Sequence, residues 1–336
     1  MTSSKIDHKY LEYINGRDPT LMFGEWINNI DQWSKKFAEN DSKYVIINDF
    51  LNFDVIEKVH ESFPSIDESW YKYWNPIEVK YANDKINSFP CVIKDVFYFL
   101  SSDTIKNKIG KICGIPTLEM DEYLHGAGLH VHPRNGRLNI HLDYEKHPIT
   151  NKQRRLNIIL YLSKDWKSEW NGHTELYDDN YQNLIAKSLV IFNQAIIFKT
   201  NENSWHGLPD KIQCPENVYR KSLAYYYVSD LENSPSNYKH GVNKDGYRNK
   251  AVFVQKSTEE SDSRIQKLLK IRHTTNKRVD KKSCKIKLEM ENFHKLVFSS
   301  SSQVFSQISI PPHIAKPKSI NPIHIKFIGP RFSEYK

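Results

Sequence analysis

The spacing of apolar positions changes along this chain, and the change divides it. In LMFGEWINNIDQWSKKFAEN, residues 21–40, Phe23, Trp26, Ile27, Ile30 and Trp33 recur at helical spacing, so 1–40 reads as a peripheral helical extension. KYVIINDFL, 43–51, is β-branched and reads as a strand that turns at Asn48-Asp49. VIEKVHESFP, 55–64, reads as a helix stopped by Pro64, and 95–113 as one or two more helices. From about residue 117 the helical period disappears. DEYLHGAGLHVH, RLNIHLDY, RRLNIILYLS, HTELYD, SLVIFNQAIIFK and RKSLAYYYVS are short β-rich runs separated by turn-rich stretches such as PRNG and SEWNG. Such spacing predicts a β-sandwich or barrel with helices packed outside it. The expected domain is 41–232. Residues 233–336 drift toward loop composition around one short helical stretch at 260–272, and are expected to be partly disordered.

Composition refines this outline. With 336 residues, 39% of them hydrophobic, the chain can form one large domain with extensions, or two domains. The net charge of +8 is uneven: 251–336 hold 17 Lys and Arg against 7 Asp and Glu, whereas the first 250 residues are slightly acidic. The basic character therefore belongs to the C-terminal extension. That extension could meet nucleic acid, an anionic membrane surface or an acidic partner, although a solvated surface is the plainer reading. Cys91, Cys113, Cys214 and Cys284 are scattered, which fits reduced thiols in a cytoplasmic protein better than disulfides or a zinc cluster. No apolar run is long enough for a membrane span, and the N-terminus lacks a signal-peptide core, so no membrane partner is expected.

Candidate chemistry starts at HLDYEKHP, 141–148. On a strand, His141 and Asp143 point the same way while Leu142 points away. A second pair, His173 and Glu175, has the same spacing, and one or two such pairs are expected by chance among 14 histidines and 40 acids. Context separates them: His141 and Asp143 end a strand-like run and lead into a loop, whereas His173 and Glu175 begin a strand after a turn. A third ligand should come from a later strand, and SWHGLP offers His206. His141, Asp143 and His206 form a two-histidine, one-carboxylate set that leaves three cis positions open on octahedral iron(II). Two would hold a bidentate 2-oxo acid and one dioxygen. A distal carboxylate on that acid needs a cation, and Arg220 follows His206 by fourteen residues, with Ser222 on its strand face. A structural ion pair is the other reading of an inward arginine.

The ordered set LHVHPRNGRLNIHLDY, RRLNIILYLSKDWKSEWNGHTELYD, SWHGLP and YRKS resembles the 2-oxoglutarate and iron(II)-dependent dioxygenases, in the branch similar to prolyl 4-hydroxylases, from about 43 to 229. The resemblance implies an α+β protein with a double-stranded β-helix, or jelly-roll, core and flanking helices. It implies an oxidoreductase that decarboxylates 2-oxoglutarate to succinate and hydroxylates a small-molecule or peptidyl substrate, with prolyl or other amino-acid residues as candidates and ascorbate as a support. By position, His141, Asp143 and His206 would ligate iron. Arg220 and Ser222 would bind the distal carboxylate, joined by Tyr161, and His132 would touch 2-oxoglutarate or substrate. Asn157 is a weaker pocket candidate. His125 and His130 are read as lining the pocket entrance. Two departures stand out: Gly172-His173 replaces the relatives' Gly-Gly, and the stretch from His206 to Arg220 is long. Retention of Asp143 argues against a halogenase. Substrate choice is expected in loops at 76–93 and 144–154. Two other functions compete: a non-catalytic metal- or ligand-binding jelly roll, and a nucleic-acid-directed oxygenase that uses the basic tail.

Overall fold

Strands form where β-branched and aromatic residues cluster, and all of them join one antiparallel sheet. The structure, a computed structural model, describes residues 5–231, 247–255 and 263–274. Residues 275–336, which carry most of the basic tail and with it the competing nucleic-acid reading, lie outside the described residues. The strands are β1 (Tyr44–Ile47), β2 (Tyr71–Asn75), β3 (Glu78–Asn83), β4 (Glu119–Met120), β5 (Gly128–His132), β6 (Arg137–Leu142) and β7 (Gln153–Tyr161). They continue with β8 (Thr174–Tyr177), β9 (Leu184–Ser188), β10 (Ala195–Lys199), β11 (His206–Leu208), β12 (Arg220–Ser229) and β13 (Val252–Phe253). Their order is β1-β10-β7-β12-β5-β3-β6-β11-β8-β9, with β2 on β3, β4 on β12 and β13 on β6. β1-β10-β7-β12-β5 form one wall and β6-β11-β8-β9 the other, and β3 crosses between them. This is the nearly closed barrel expected of a jelly roll.

Helices cover the wall of β1-β10-β7-β12-β5, except the last of them, which packs on β13. They are α1 (His8–Asn15), α2 (Ile30–Glu39), α3 (Phe53–Glu61), α4 (Cys91–Ser101), α5 (Asp103–Cys113) and α6 (Ser263–Thr274). Ser102 caps α5 through a bond from the Ile105 amide, and Gly114 ends it in a left-handed conformation. Side-chain alternation sets the two faces of the wall. Leu156, Ile158, Leu160, Leu223, Tyr225 and Tyr227 face the helices and join the main core. The intervening positions, among them Tyr161, Ser222 and Tyr226, face the barrel interior. Both faces are covered, so β12 is buried almost throughout.

Several details differ from the sequence reading. The helical stretch at 21–40 is interrupted: short 3₁₀ turns at Pro19–Leu21 and Glu25–Asn28 precede α2. Its Phe23, Trp26, Ile27 and Phe37 are buried in the same core as α4 and α5. The expected loop at 76–93 contains β3, an interior strand, because Tyr81–Asn83 pair with β5 and Glu78–Val79 with β6. The loop at 144–154 is pinned by buried His147, whose Nδ1 accepts from the amides of Ile149 and Thr150 while Nε2 lies 3.2 Å from Asp121. Residues 247–255, read as extension, pair with β6, and α6 packs behind them.

Candidate metal centre

Antiparallel pairing of β6 and β11 sets His141 directly opposite His206. Asp143 follows the end of β6, two residues on, and so returns to the same side. His141 Nε2 lies 3.8 Å from Asp143 Oδ1, and His206 Nε2 lies 3.6 Å from Asp143 Oδ2. All three residues are buried. Their ligand-capable atoms lie within 4.8 Å of one another, and this is the one such group of three found among the described residues. His173 and Glu175, the other pair of that spacing, are not part of it.

The backbone fixes both imidazoles. His141 Nδ1 is 2.9 Å from the Asn139 carbonyl and His206 Nδ1 is 2.8 Å from the Ser204 carbonyl. A carbonyl only accepts, so each Nδ1 carries the proton and each Nε2 presents its lone pair to the centre. Burial, and then His206, push the His141 pKa down to about 3 against the opposing pull of Asp143. His141 is therefore neutral, as a ligand must be. Burial acts to raise the Asp143 pKa, but Arg154 first and then the two histidines outweigh it, so the carboxyl sits below its ordinary range. Arg154 Nη1 lies 3.3 Å from Asp143 Oδ1, and Oδ2 has no hydrogen-bond partner among the described residues. Two imidazole Nε2 atoms and one free carboxylate oxygen converge on one point. This donor set suits an iron(II) with open positions.

A second feature lies deeper in the barrel. Arg220 is fully buried at the start of β12. It donates from Nε to the Gly172 carbonyl at 2.6 Å, from Nη1 to Ser222 Oγ at 3.1 Å and from Nη2 to Thr174 Oγ1 at 3.3 Å. Its Cζ lies 5.1 Å from the centre of the Tyr161 ring. Among the described residues its hydrogen-bond partners are a carbonyl and two hydroxyls, none of them anionic. The structural ion pair that the sequence left open is not seen there. A buried guanidinium without an anion is costly, and a ligand carboxylate would balance it. The Tyr161 hydroxyl sits beside this cluster, 2.8 Å from Thr174 Oγ1 and 3.1 Å from the Ser188 carbonyl. His132 pairs across the sheet with Arg220, is 2% exposed, and has no hydrogen-bond partner at either ring nitrogen among the described residues. The structure thus gathers His132, Tyr161, Arg220 and Ser222 in one buried polar cluster.

The two departures from the family pattern have local explanations. Gly172 has φ +82°, and a Cβ there would come within 3.2 Å of Arg220 Cδ, so this glycine is needed. His173 is buried: its Nε2 meets the Ser168 carbonyl at 3.1 Å and its Nδ1 accepts from the Val190 amide at 3.2 Å, so it ties two loops together. The long connection from His206 to Arg220 folds on itself, with Leu208, Ile212 and Cys214 forming a small apolar cluster. Of the histidines read as lining the entrance, His130 lies on β5 opposite Ser222, whereas His125 packs against Tyr144 and His147, outside the metal group. Sequence reading missed Arg154, Thr174, Arg248 and Phe253. Thr174 shares its strand face with neither His173 nor Glu175, so inspection of that pair passed over it.

Residues 127–228 match the family model of the 2OG-Fe(II) oxygenase superfamily. Over that stretch the chain is similar to the 2OG-Fe(II) oxygenases. His132, His141, Asp143, Tyr161, His206, Arg220 and Ser222 all fall inside the matched stretch. No curated protein sequence matches the chain. Among solved structures, it is similar to a Pseudomonas putida prolyl 4-hydroxylase at 11% identity and TM-score 0.45, over 60% of this chain and 99% of that one. It is also similar to a Trichoplax adhaerens prolyl hydroxylase in complex with a hypoxia-inducible-factor peptide fragment, at 14% identity and TM-score 0.41, over 63% and 96%. A third is HygX from Streptomyces hygroscopicus with nickel, 2-oxoglutarate and hygromycin B bound, at 12% identity and TM-score 0.41, over 65% and 96%. Similarity at this level says nothing of the substrate that this chain takes. Among the described residues, no helix is long and apolar enough to cross a membrane.

Proposed function

We propose that this oxygenase hydroxylates its substrate at a centre where His141 Nε2, His206 Nε2 and Asp143 Oδ2 hold iron(II), with 2-oxoglutarate anchored on Arg220. When bound, iron and 2-oxoglutarate would supply dioxygen activation coupled to decarboxylation, leaving succinate, carbon dioxide and a hydroxylated product. His141, Asp143 and His206 would hold the metal and leave it open to the co-substrate. Arg220 and Ser222 grip the distal carboxylate, with Tyr161 alongside, and this aims the 2-oxo end of the molecule at the metal. His132, neutral and unpartnered across the sheet from Arg220, meets the bound acid or the substrate. Phe198 packs 4.8 Å from the His206 ring and fully buried Trp205 precedes it, which keeps bulk water from that side.

The observation that carries this reading is the coincidence of two features in one barrel: imidazole nitrogens and a carboxylate that converge on one point, and a buried guanidinium whose hydrogen-bond partners among the described residues are all neutral. A non-catalytic metal module would not need both. The test is succinate release from 2-oxoglutarate by the purified full chain with iron(II), oxygen and ascorbate. Release that requires iron and disappears in Asp143→Ala supports the reading. Wild-type rates in Asp143→Ala would remove the triad. Failure of the wild type to bind either a divalent metal or 2-oxoglutarate would remove the whole assignment.

A further inference from the structure

One segment beyond the matched stretch, residues 247–255, touches Asp143 and His141 and reaches the turn that presents His206. Arg248 is fully buried. Its Nε donates to the Asp143 carbonyl at 2.9 Å and its Nη2 to the Asn201 carbonyl at 3.2 Å. Asn201 opens the turn that presents His206: its amide bonds Ser204 Oγ at 2.9 Å, and the Ser204 carbonyl holds His206 Nδ1. One planar guanidinium thus spans the chain at Asp143 and the turn before His206. The Arg248 carbonyl accepts from the amides of Glu145 at 2.7 Å and Lys146 at 3.1 Å, fixing the backbone as it leaves Asp143. Further along, β13 adds to the edge of β6, with Val252 opposite Leu142 and Phe253 opposite His141. The Phe253 ring lies 5.0 Å from the His141 ring at an interplanar angle of 15°. Ile77, Ile265, Leu268 and Leu269 pack with Phe253 and hold it in place.

We propose that residues 247–255 are a positioning element of the metal centre. Arg248 sets the separation of Asp143 and His206, and Phe253 fixes the plane of the His141 imidazole. The inference rests on the triad being the metal site. Groups behind metal ligands tune affinity through such orientation, commonly by ten- to a hundredfold. Mere capping of the β6 edge would instead change stability and leave the metal's surroundings alone.

Cobalt(II) titration of the full chain separates these cases, because its visible absorption reports ligand geometry as well as occupancy. Arg248→Lys keeps a buried charge but loses the planar fork. Phe253→Leu keeps apolar volume but loses the stacked ring. The expected result is a loss of cobalt affinity of roughly ten- to a hundredfold in Arg248→Lys, and a smaller loss in Phe253→Leu, each with an altered spectrum. Metal-free melting of Phe253→Leu should stay close to wild type. Wild-type affinity and spectrum in both variants would overturn the proposal, even if melting temperatures fell. If the wild type bound cobalt no better than Asp143→Ala, the triad itself would fail, and this inference with it.

Discussion

Asp143 occupies a place where burial alone would favour its protonated form, and Arg154 reverses the balance. The guanidinium lies between two aromatic rings, its Cζ 3.6 Å from the centre of Tyr144 and 3.4 Å from that of Tyr226. Those π faces replace the water that a buried cation has lost. A carboxylate must be deprotonated to bind metal, so Arg154 should act through the Asp143 pKa as well as through its hydrogen bond. Arg154→Gln is expected to weaken cobalt binding by roughly ten- to a hundredfold near neutral pH. The deficit should grow at about pH 6 and shrink at about pH 8, since removing the cation raises the Asp143 pKa. A deficit that ignores pH would mean that Arg154 only packs; no deficit would remove it from the site. Alternation could not reveal this residue. Counted back from Leu156, Arg154 belongs to the helix-facing set. Opposite it, however, the register slips: Tyr227 pairs with Leu156 but Val228 with Arg154. That β-bulge turns Arg154 inward. The ligands themselves were legible, because a histidine and an acid two apart at a strand end make a local pattern. Arg248 and Phe253 were not, because their contacts with Asp143 and His141 are set wholly by tertiary pairing.

At the scale of elements, the sequence showed which runs become strands but not how they pair. β5 and β6 are joined by a short turn, yet they belong to different walls, and β3 fills the gap between them. Nothing local in EVKYAN announces an interior strand, since its charged residues read as loop. Glu78 is instead buried, paired with half-buried Lys80 3.2 Å away. The crossing demands close approach at Gly128, which has φ +98° and would place a Cβ 2.1 Å from the Asn83 carbonyl oxygen. Gly128→Ala must strain the backbone or push β3 away, at a cost on the order of 1–3 kcal/mol or more. His132 and Arg220 face one another across the same β5–β12 ladder, so a shift of β5 should also weaken 2-oxoglutarate binding. Thermal melting and 2-oxoglutarate titration of this variant test the argument. A wild-type melting temperature would show that β3 can yield without cost, and normal 2-oxoglutarate affinity would uncouple β5 from that cluster.

For the molecule as a whole, the barrel interior concentrates groups that must stay uncharged for the fold to stand. The N-terminal helices belong to this economy as covering layers: Trp26 stacks on Phe50 at 5.0 Å, and its Nε1 bonds the Phe50 carbonyl at 2.7 Å. Inside, burial first, and then Arg220 and Lys80, hold the His132 pKa well below its ordinary 6.5. His173 is lowered too, chiefly by burial. As pH falls through 6.5, the unfolded chain takes up protons at these positions while the folded protein does not, so acid favours unfolding. Each such histidine withdraws up to about 1.4 kcal/mol per pH unit until its own folded-state pKa is reached. Net stabilities are only about 5–15 kcal/mol, so this loss is a sizeable share. Asp143 does not offset it in this range: its lowered pKa protects the fold only above its unfolded value of 3.8, and that contribution is lost at still lower pH. The metal-free protein should therefore melt at a clearly lower temperature at about pH 5 than at about pH 7. His132→Gln, which cannot take up the proton when unfolded, should show a shallower drop. Equal melting temperatures at the two pH values would mean that the interior admits water and lets its histidines charge. An unchanged slope in His132→Gln would move the acid sensitivity to other residues, and would leave the orphaned ring of His132 without a part in it.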